Sequence, residues 1–377
     1  MRATRHGFPT RASFAHALLG AIATVGAASS GARGATLPPG IADPGHAGHA
    51  VKCQKMLNKG TAKYLGTWAK TYAKCVTALV NCVQTHGSDP VCVGKAVAAC
   101  NKGIAPLADD TEKDAGSTLE NLVTSFCGSL TLSEQLDDPA GMLFSLRADE
   151  CKNRFGIPSI ASGAGSIAFC LFKETNCATE SMLLTRMPRA RQLLETAGIV
   201  TGHAVGPESC LTNVGGGGVL ADAKAGKALL KCEGGAATAG VTFAAKARAA
   251  FAKCADAVFA CAQTKPTQRC LDGATKTCAK QLANVDAAQA KLADGVRKAC
   301  GSIPLTDLTD AASGDVDGLA TVCGTLGVAS LATLDDYAEC MARQERCHVE
   351  NSMLFTSPRI VELFTAAGQT FGSAFCP

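Results

Sequence analysis

The sequence predicts an all-α fold: two tandem homologous, disulfide-rich helical domains, each containing a disulfide-stapled α-hairpin. Three observations carry this. Twenty cysteines in 377 residues fall into two runs of ten. The apolar residues around them recur at helical spacing, and alternating β-branched runs and Asn-Gly hairpin turns are scarce.

The first run lies at 53, 75, 82, 92, 100, 127, 151, 170, 177 and 210, and the second at 232, 254, 261, 270, 278, 300, 323, 340, 347 and 376. Several steps are identical in place and the rest are close, which is the signature of an internal repeat. Other residues keep the register. Ala73-Lys74-Cys75 matches Ala252-Lys253-Cys254, Gln84-Thr85 matches Gln263-Thr264, and Cys127-Gly128-Ser129 matches Cys300-Gly301-Ser302.

Residues 1–32 read as a secretory signal peptide. Arg2, Arg5 and Arg11 precede an apolar run, Ala17 to Ala28, and Ser30-Gly31-Ala32 fits a small-residue cleavage site. The run is 12 residues, short of the roughly 20 needed to span a bilayer. No transmembrane span is expected once it is removed. Cleavage after Ala32 leaves 33 basic against 32 acidic residues, which is not the footprint of a nucleic-acid binder. The expected location is secreted or periplasmic, where disulfides persist.

Residues 33–50, rich in Gly and Pro, are expected to be a flexible lead-in. The first repeat spans 51–211. Gly215 to Gly218 cannot hold a regular element, and 212–220 reads as a linker. The second repeat spans 221–377.

Tyr64, Trp68, Tyr72, Cys75, Leu79 and Cys82 form one helical face. Phe243, Ala247, Phe251, Cys254, Val258 and Cys261 repeat it, with Lys246, Arg248, Lys253 and Asp256 expected on the polar side. The aromatic face could be a platform for a sugar or peptide, but phenylalanine in the same register of the second copy favours packing. Near each C-terminal end, Pro188 and Pro358 open short helices closed by Gly198 and Gly368, with Ser357 a candidate N-cap.

Neighbouring cysteines are never closer than seven residues, which excludes C-x-x-C redox and zinc motifs and the C-x-x-C-H haem signature. An even count per repeat predicts five disulfides each. Cys75 and Cys82 sit two turns apart on one face, as nearly do Cys92 and Cys100, around a Gly-Ser-Asp-Pro turn. An antiparallel hairpin then pairs Cys75 with Cys100 and Cys82 with Cys92, and Cys254 with Cys278 and Cys261 with Cys270. The other six of each repeat allow 15 pairings, which stay open. The C-x6-C…C-x7-C pattern resembles the twin-cysteine α-hairpins, small single units; the resemblance implies a hairpin and no activity.

Candidate chemistry is sparse. His46 and His49 are the one local metal-ligand pair, and a site needs three or four convergent ligands. His86, His203 and His348 lack histidine counterparts in the opposite repeat. Ser162-Gly163-Ala164-Gly165 misplaces the serine of a nucleophile elbow, and the stretch into Gly226-Lys227 lacks the pattern of a phosphate loop. Glu180 with Glu350, and Arg189 with Arg359, hold equivalent places and are expected to form an ion pair within each repeat. No catalytic residue and no cofactor are predicted. The leading function is a non-catalytic binding or structural module of the cell envelope or extracellular space, with an unknown protein or envelope ligand as partner. A secreted hydrolase with its site in one repeat, and a metal-binding protein using His46 and His49, are the alternatives.

Overall fold

Two helices of more than forty residues run antiparallel along the molecule and organise everything else. The computed structural model describes residues 36–108, 115–199, 210–220 and 222–377; the signal-peptide reading over 1–32 and His203 lie outside the described residues. Helices α1 (Pro44–His86), α2 (Pro90–Ala108) and α3 (Ala115–Cys127) are followed by short α4 (Leu132–Leu136) and α5 (Ala148–Phe155), then α6 (Ala164–Arg186) and α7 (Ala190–Thr196). The second half follows the same order with the single helix α9 in the place of α2 and α3: α8 (Ala223–Thr264), α9 (Gln268–Cys300), α10 (Leu305–Thr309), α11 (Ala320–Thr325), α12 (Leu334–Thr356) and α13 (Ile360–Ala366). There is no strand among the described residues.

Local signals set the helix boundaries. Asp43 accepts a hydrogen bond from the His46 N–H at 2.8 Å with Pro44 at the first helical position, and Asp222 caps α8 through the Lys224 N–H at 2.9 Å. Residues 44–50, expected as part of a flexible lead-in, are therefore the first turns of α1. Gly87, at φ 59°, ends α1. Ser357 is not an N-cap. It ends α12, and its hydroxyl donates to Asn58 Oδ1, while Arg359 occupies the N-cap place of α13.

The centre is the pair α6–α12. Every residue from Glu174 to Ala190 is buried, the mark of a helix covered on all sides. Helices α1 and α3 cover α6, and α8 and α9 cover α12, while α1 packs on α8. Trp68, Tyr72, Phe243 and Phe251 all lie inside, so the aromatic face is packing rather than a platform. Each such ring contributes about 1.5–3 kcal/mol of burial. The expected polar side of α8 is not uniformly polar. Arg248 is buried, because α12 packs where a solvent face was expected.

Ten disulfides staple this frame: Cys53–Cys127, Cys75–Cys100, Cys82–Cys92, Cys151–Cys170 and Cys177–Cys210, then Cys232–Cys300, Cys254–Cys278, Cys261–Cys270, Cys323–Cys340 and Cys347–Cys376. The pairing order is the same in both halves. No described cysteine is free.

The two halves close on each other as one unit, Ala35–Pro377, through reciprocal contacts of the kind an isologous dimer makes. Gln84 donates to the Ala312 carbonyl and accepts from the Leu220 N–H, both at 2.9 Å. Its counterpart Gln263 donates to the Ala140 carbonyl at 2.5 Å and accepts from the Ile41 N–H at 2.9 Å. Residues 212–220, expected as a linker, hold no regular element, yet they are pinned by Leu220 on Gln84 and by Gly217 N–H on the Ala311 carbonyl.

Candidate functional site

Arg189 and Arg359 do not pair with Glu180 and Glu350. Each guanidinium crosses to the other half and binds backbone. Arg189 Nη1 donates to the Ala312 carbonyl at 2.7 Å and Nη2 to the Gly218 carbonyl at 3.2 Å; Arg359 Nη1 donates to Gly141 at 3.1 Å and Nη2 to Pro39 at 3.2 Å. Glu180 and Glu350 instead anchor the segments that carry the last cysteine of each half. Glu180 accepts from the Cys210 N–H, and Glu350 from the Ser373 N–H, each at 2.8 Å. The expected Arg–Glu pairings are thus replaced by two backbone clamps, while Arg359 pairs with Glu362 at 2.8 Å and Glu350 with Arg346 at 2.9 Å. A guanidinium with several donors satisfies carbonyls that a turn leaves open.

The interior holds further charge. Arg186 and Glu345, with side chains 1% and 0% exposed, make a bidentate pair at 2.5 and 2.7 Å. Gly240 passes directly over it; a Cβ there would overlap both partners. Arg248 donates to Ser352, Thr61 and Thr356, and burial pushes it down to about 10. Burial pushes the Glu174 carboxyl up to about 7 against the pull of Arg248. Glu233 rises to about 8, again through burial, partly offset by Arg189. His348 is driven down to about 4 by desolvation and then by the cations Arg154 and Arg186. Perturbed groups mark functional sites when they converge in a cleft. Glu174, Glu233 and Arg248 are sealed between helices, His348 is half-buried, and none of the four lines either of the two larger concavities.

His46 and His49 follow one another on α1, ring centroids 6.5 Å apart. Both Glu134 carboxylate oxygens lie 2.9 Å from His46 Nδ1, and Glu134 also closes the capping box of α4 with Thr131. The hydrogen bond to Glu134 raises the His46 pKa. Among the described residues no group of three or more His, Cys, Asp or Glu side chains could hold a metal ion. The pair joins α1 to α4 instead. His86 is exposed at the end of α1, beside Thr85, whose hydroxyl lies 2.8 Å from its ring nitrogen. Gly163 of the elbow-like stretch caps α6 at φ 84°, and Gly226-Lys227 lie in the opening turns of α8.

Two concavities stand out by volume. One, of about 670 Å³, lies between residues 36–44 and the end of α8 and is lined by no charged side chain. Its floor, Gln263, already serves the contact between halves. The other is a groove of about 760 Å³ along the seam between α1 and α8. Ala73, Ala78, Leu230, Ala237 and Val241 make it apolar, Lys70 and Lys74 stand on its α1 wall, and no carboxylate lines it. Its volume falls in the range of ligand sites, roughly 300–1,000 Å³.

Sequence reasoning missed this groove, though the repeat register contained a signal. Gly234, Thr238 and Thr242 occupy the places held in the first half by Lys55, Lys59 and Lys63. Small residues replace long ones on one wall only. No helix among the described residues is long and apolar enough to cross a membrane. No family model, no curated protein and no solved structure matches this chain.

Proposed function

We propose that the chain is an exported, non-catalytic binding module, a duplicated helical frame locked by disulfides whose ligand lies in the α1–α8 groove. The groove carries the reading. It is an apolar concavity on a scaffold whose own charged interior is spent on holding helices together. Ten bridges suit a protein of an oxidising compartment. The basic start and apolar run of residues 1–32 support export, to periplasm or medium. The common cysteine register and the reciprocal Gln84 and Gln263 contacts support an origin of repeats 51–211 and 221–377 in one duplicated unit.

A thermal-shift screen of amphiphiles, oligosaccharides and peptides tests the binding reading, run in parallel on the mature chain and on Gly234→Phe. A Cβ at Gly234, on the groove wall, meets no neighbour within 4 Å, so a larger side chain can be added there without a clash at the backbone. Ligands that stabilise the native chain and lose that effect in the variant are expected. Ligands acting equally on both would move binding elsewhere and overturn the assignment. Steady turnover of an ester, peptide or glycoside by the purified chain would replace it with the hydrolase. Export is checked by sequencing the mature N-terminus, expected at Arg33.

A further inference from the structure

We propose that the α1–α8 groove takes an anionic single-chain amphiphile, specifically a long-chain carboxylate, with its alkyl chain along the seam and its head group at Lys70 and Lys74. This rests on the groove-binding reading above and names its ligand class.

Shape comes first. The α1 wall runs from Lys70 to Asn81, about 16 Å at the helical rise per residue. That is a long slot, and although Thr77, Asn81, Thr238 and Thr242 also line it, its exposed surface is mostly apolar, from residues such as Ala73, Ala78, Leu230 and Val241. An extended hydrocarbon can lie along this mostly apolar surface, which removes it from water.

Charge is the second observation. Lys70 and Lys74, both exposed, are one turn apart on the same wall, and the groove has no acidic residue. Across the low ridge of Gly234, Thr238 and Thr242 lies a smaller depression of about 430 Å³, which adds Lys246 and Lys291 and again no carboxylate. Among the residues lining the two depressions, the charged side chains are all lysines.

The third observation is internal. The two halves mirror one another, so the same seam exists twice, and its other copy is shut. There Asp256 of α8 accepts from Gln54 Nε2 at 3.2 Å and Asn58 Nδ2 at 3.0 Å, bridging the two helices. The counterparts of Asp256 and Asn58 are Thr77 and Ala237. The polar bridge is therefore absent where the groove is open, and the lysine chains of 55, 59 and 63 are replaced by Gly234, Thr238 and Thr242. One seam is closed by a carboxylate lock; its mirror image is apolar, unlocked and basic at its edge.

The test uses the mature chain with its bridges intact and three probes of equal chain length, each below its micelle concentration. These are dodecanoate, dodecyl maltoside and dodecyltrimethylammonium, titrated calorimetrically into the native chain, Lys70→Glu/Lys74→Glu and Gly234→Phe. Dodecanoate is expected to bind one per chain. The charge reversal should weaken it about tenfold or more without lowering the melting temperature, and Gly234→Phe should abolish binding. Equal affinity for all three probes, indifferent to the charge reversal but lost in Gly234→Phe, overturns the carboxylate assignment and leaves the groove standing. Dodecanoate binding that survives Gly234→Phe removes both. Binding of none of the probes overturns the ligand class alone, since the wider screen still judges the groove.

Discussion

Removing the charge of Glu345 tests whether the buried pair with Arg186 does what its geometry implies. Both side chains are almost without exposure, and the carboxylate meets the guanidinium through two hydrogen bonds. Glu345→Gln keeps the volume and strands a cation in the interior. Breaking one partner of a buried pair costs about 3–5 kcal/mol, far more than the pair itself contributes over apolar residues of similar size. Arg186→Met strands the carboxylate instead, and that group has an escape, because it can take a proton. The cost of Arg186→Met should therefore shrink as pH falls, whereas that of Glu345→Gln stays level, since a guanidinium does not lose its proton. The double variant Arg186→Met/Glu345→Leu should return close to native stability or exceed it. Denaturant unfolding with the disulfides intact reads each change as a midpoint shift at constant slope. Single variants within about 0.5 kcal/mol of native, the range of ordinary surface substitutions, would refute the claim that this pair is desolvated. Parallel pH dependence of the two single variants would refute the argument about the escaping proton.

Three other outcomes follow from the geometry. Glu233 sits in the interior with Oε2 unpartnered, and its pKa is raised from 4.5 to about 8. Its folded-state pKa lies above the unfolded value, so its contribution is fully present below about 4.5 and is lost as pH rises towards 8. Glu233→Gln should match the native chain near pH 4 and be the more stable one above 8; His348, lowered to about 4, acts in the opposite sense but equally in both proteins. Coincident stability curves across that range would contradict the burial of Glu233. Arg189→Ala and Arg359→Ala should each lower the melting temperature by a similar amount, through lost charged hydrogen bonds worth about 1.5–3 kcal/mol each, and add in the double variant. If either leaves the melting temperature unmoved, that clamp is not structural. Gly234→Ala should stabilise by about 0.5–1 kcal/mol through helix propensity, while Gly240→Ala destabilises because its methyl meets the Arg186–Glu345 pair. Differential scanning calorimetry separates these two, and equal effects would undo the placement of Gly240.

What the sequence made legible was whatever local chemistry decides. Helical spacing around Tyr64, Trp68 and Tyr72 gave the long helices, and Gly87, Ser88 and Pro90 gave the hairpin turn. What it hid depends on a third body. Periodicity placed Arg248 beside Lys246 on a wet face, because a single helix has only two sides; α12 with Ser352 and α1 with Thr61 turned that side into interior. Gly and Pro near His46 suggested mobility, yet Asp43-Pro44 is a helix start, a pair that composition alone reads in the wrong sense. Bridges such as Cys53–Cys127, across 74 residues, could not be chosen in advance. Their spacing follows from how α3 returns to α1, not from any turn. The groove was hidden for a different reason. It is defined by what Gly234 and Ala237 lack, and an absence of side chain is visible only against the filled copy of the same seam.

The division between mirrored and unmirrored contacts is itself informative. Gln84 with Gln263, and Arg189 with Arg359, bind carbonyls of the opposite half. A carbonyl is present whatever side chain follows, so these clamps tolerate divergence around them and keep the halves in register. The unmirrored contacts are side chain to side chain. Arg186 and Glu345 have threonines, Thr356 and Thr175, at their counterpart positions, and there Arg248 enters from a different point on α8 to reach Thr356 and Thr61. Thr61 in turn is the counterpart of Gly240. Each mirror position thus holds one guanidinium, supplied by non-equivalent helices. Where α6 delivers it, the crossing backbone must be glycine; where α8 delivers it, the crossing residue can be threonine, whose hydroxyl oxygen accepts from the guanidinium. Each interior thus satisfies its guanidinium by a different set of side chains, since an uncompensated buried polar group is costly. The groove end of the α1–α8 seam differs: Thr77 and Ala237 stand there in place of Asp256 and Asn58, and the space is open to solvent, where an unfilled position carries no burial penalty.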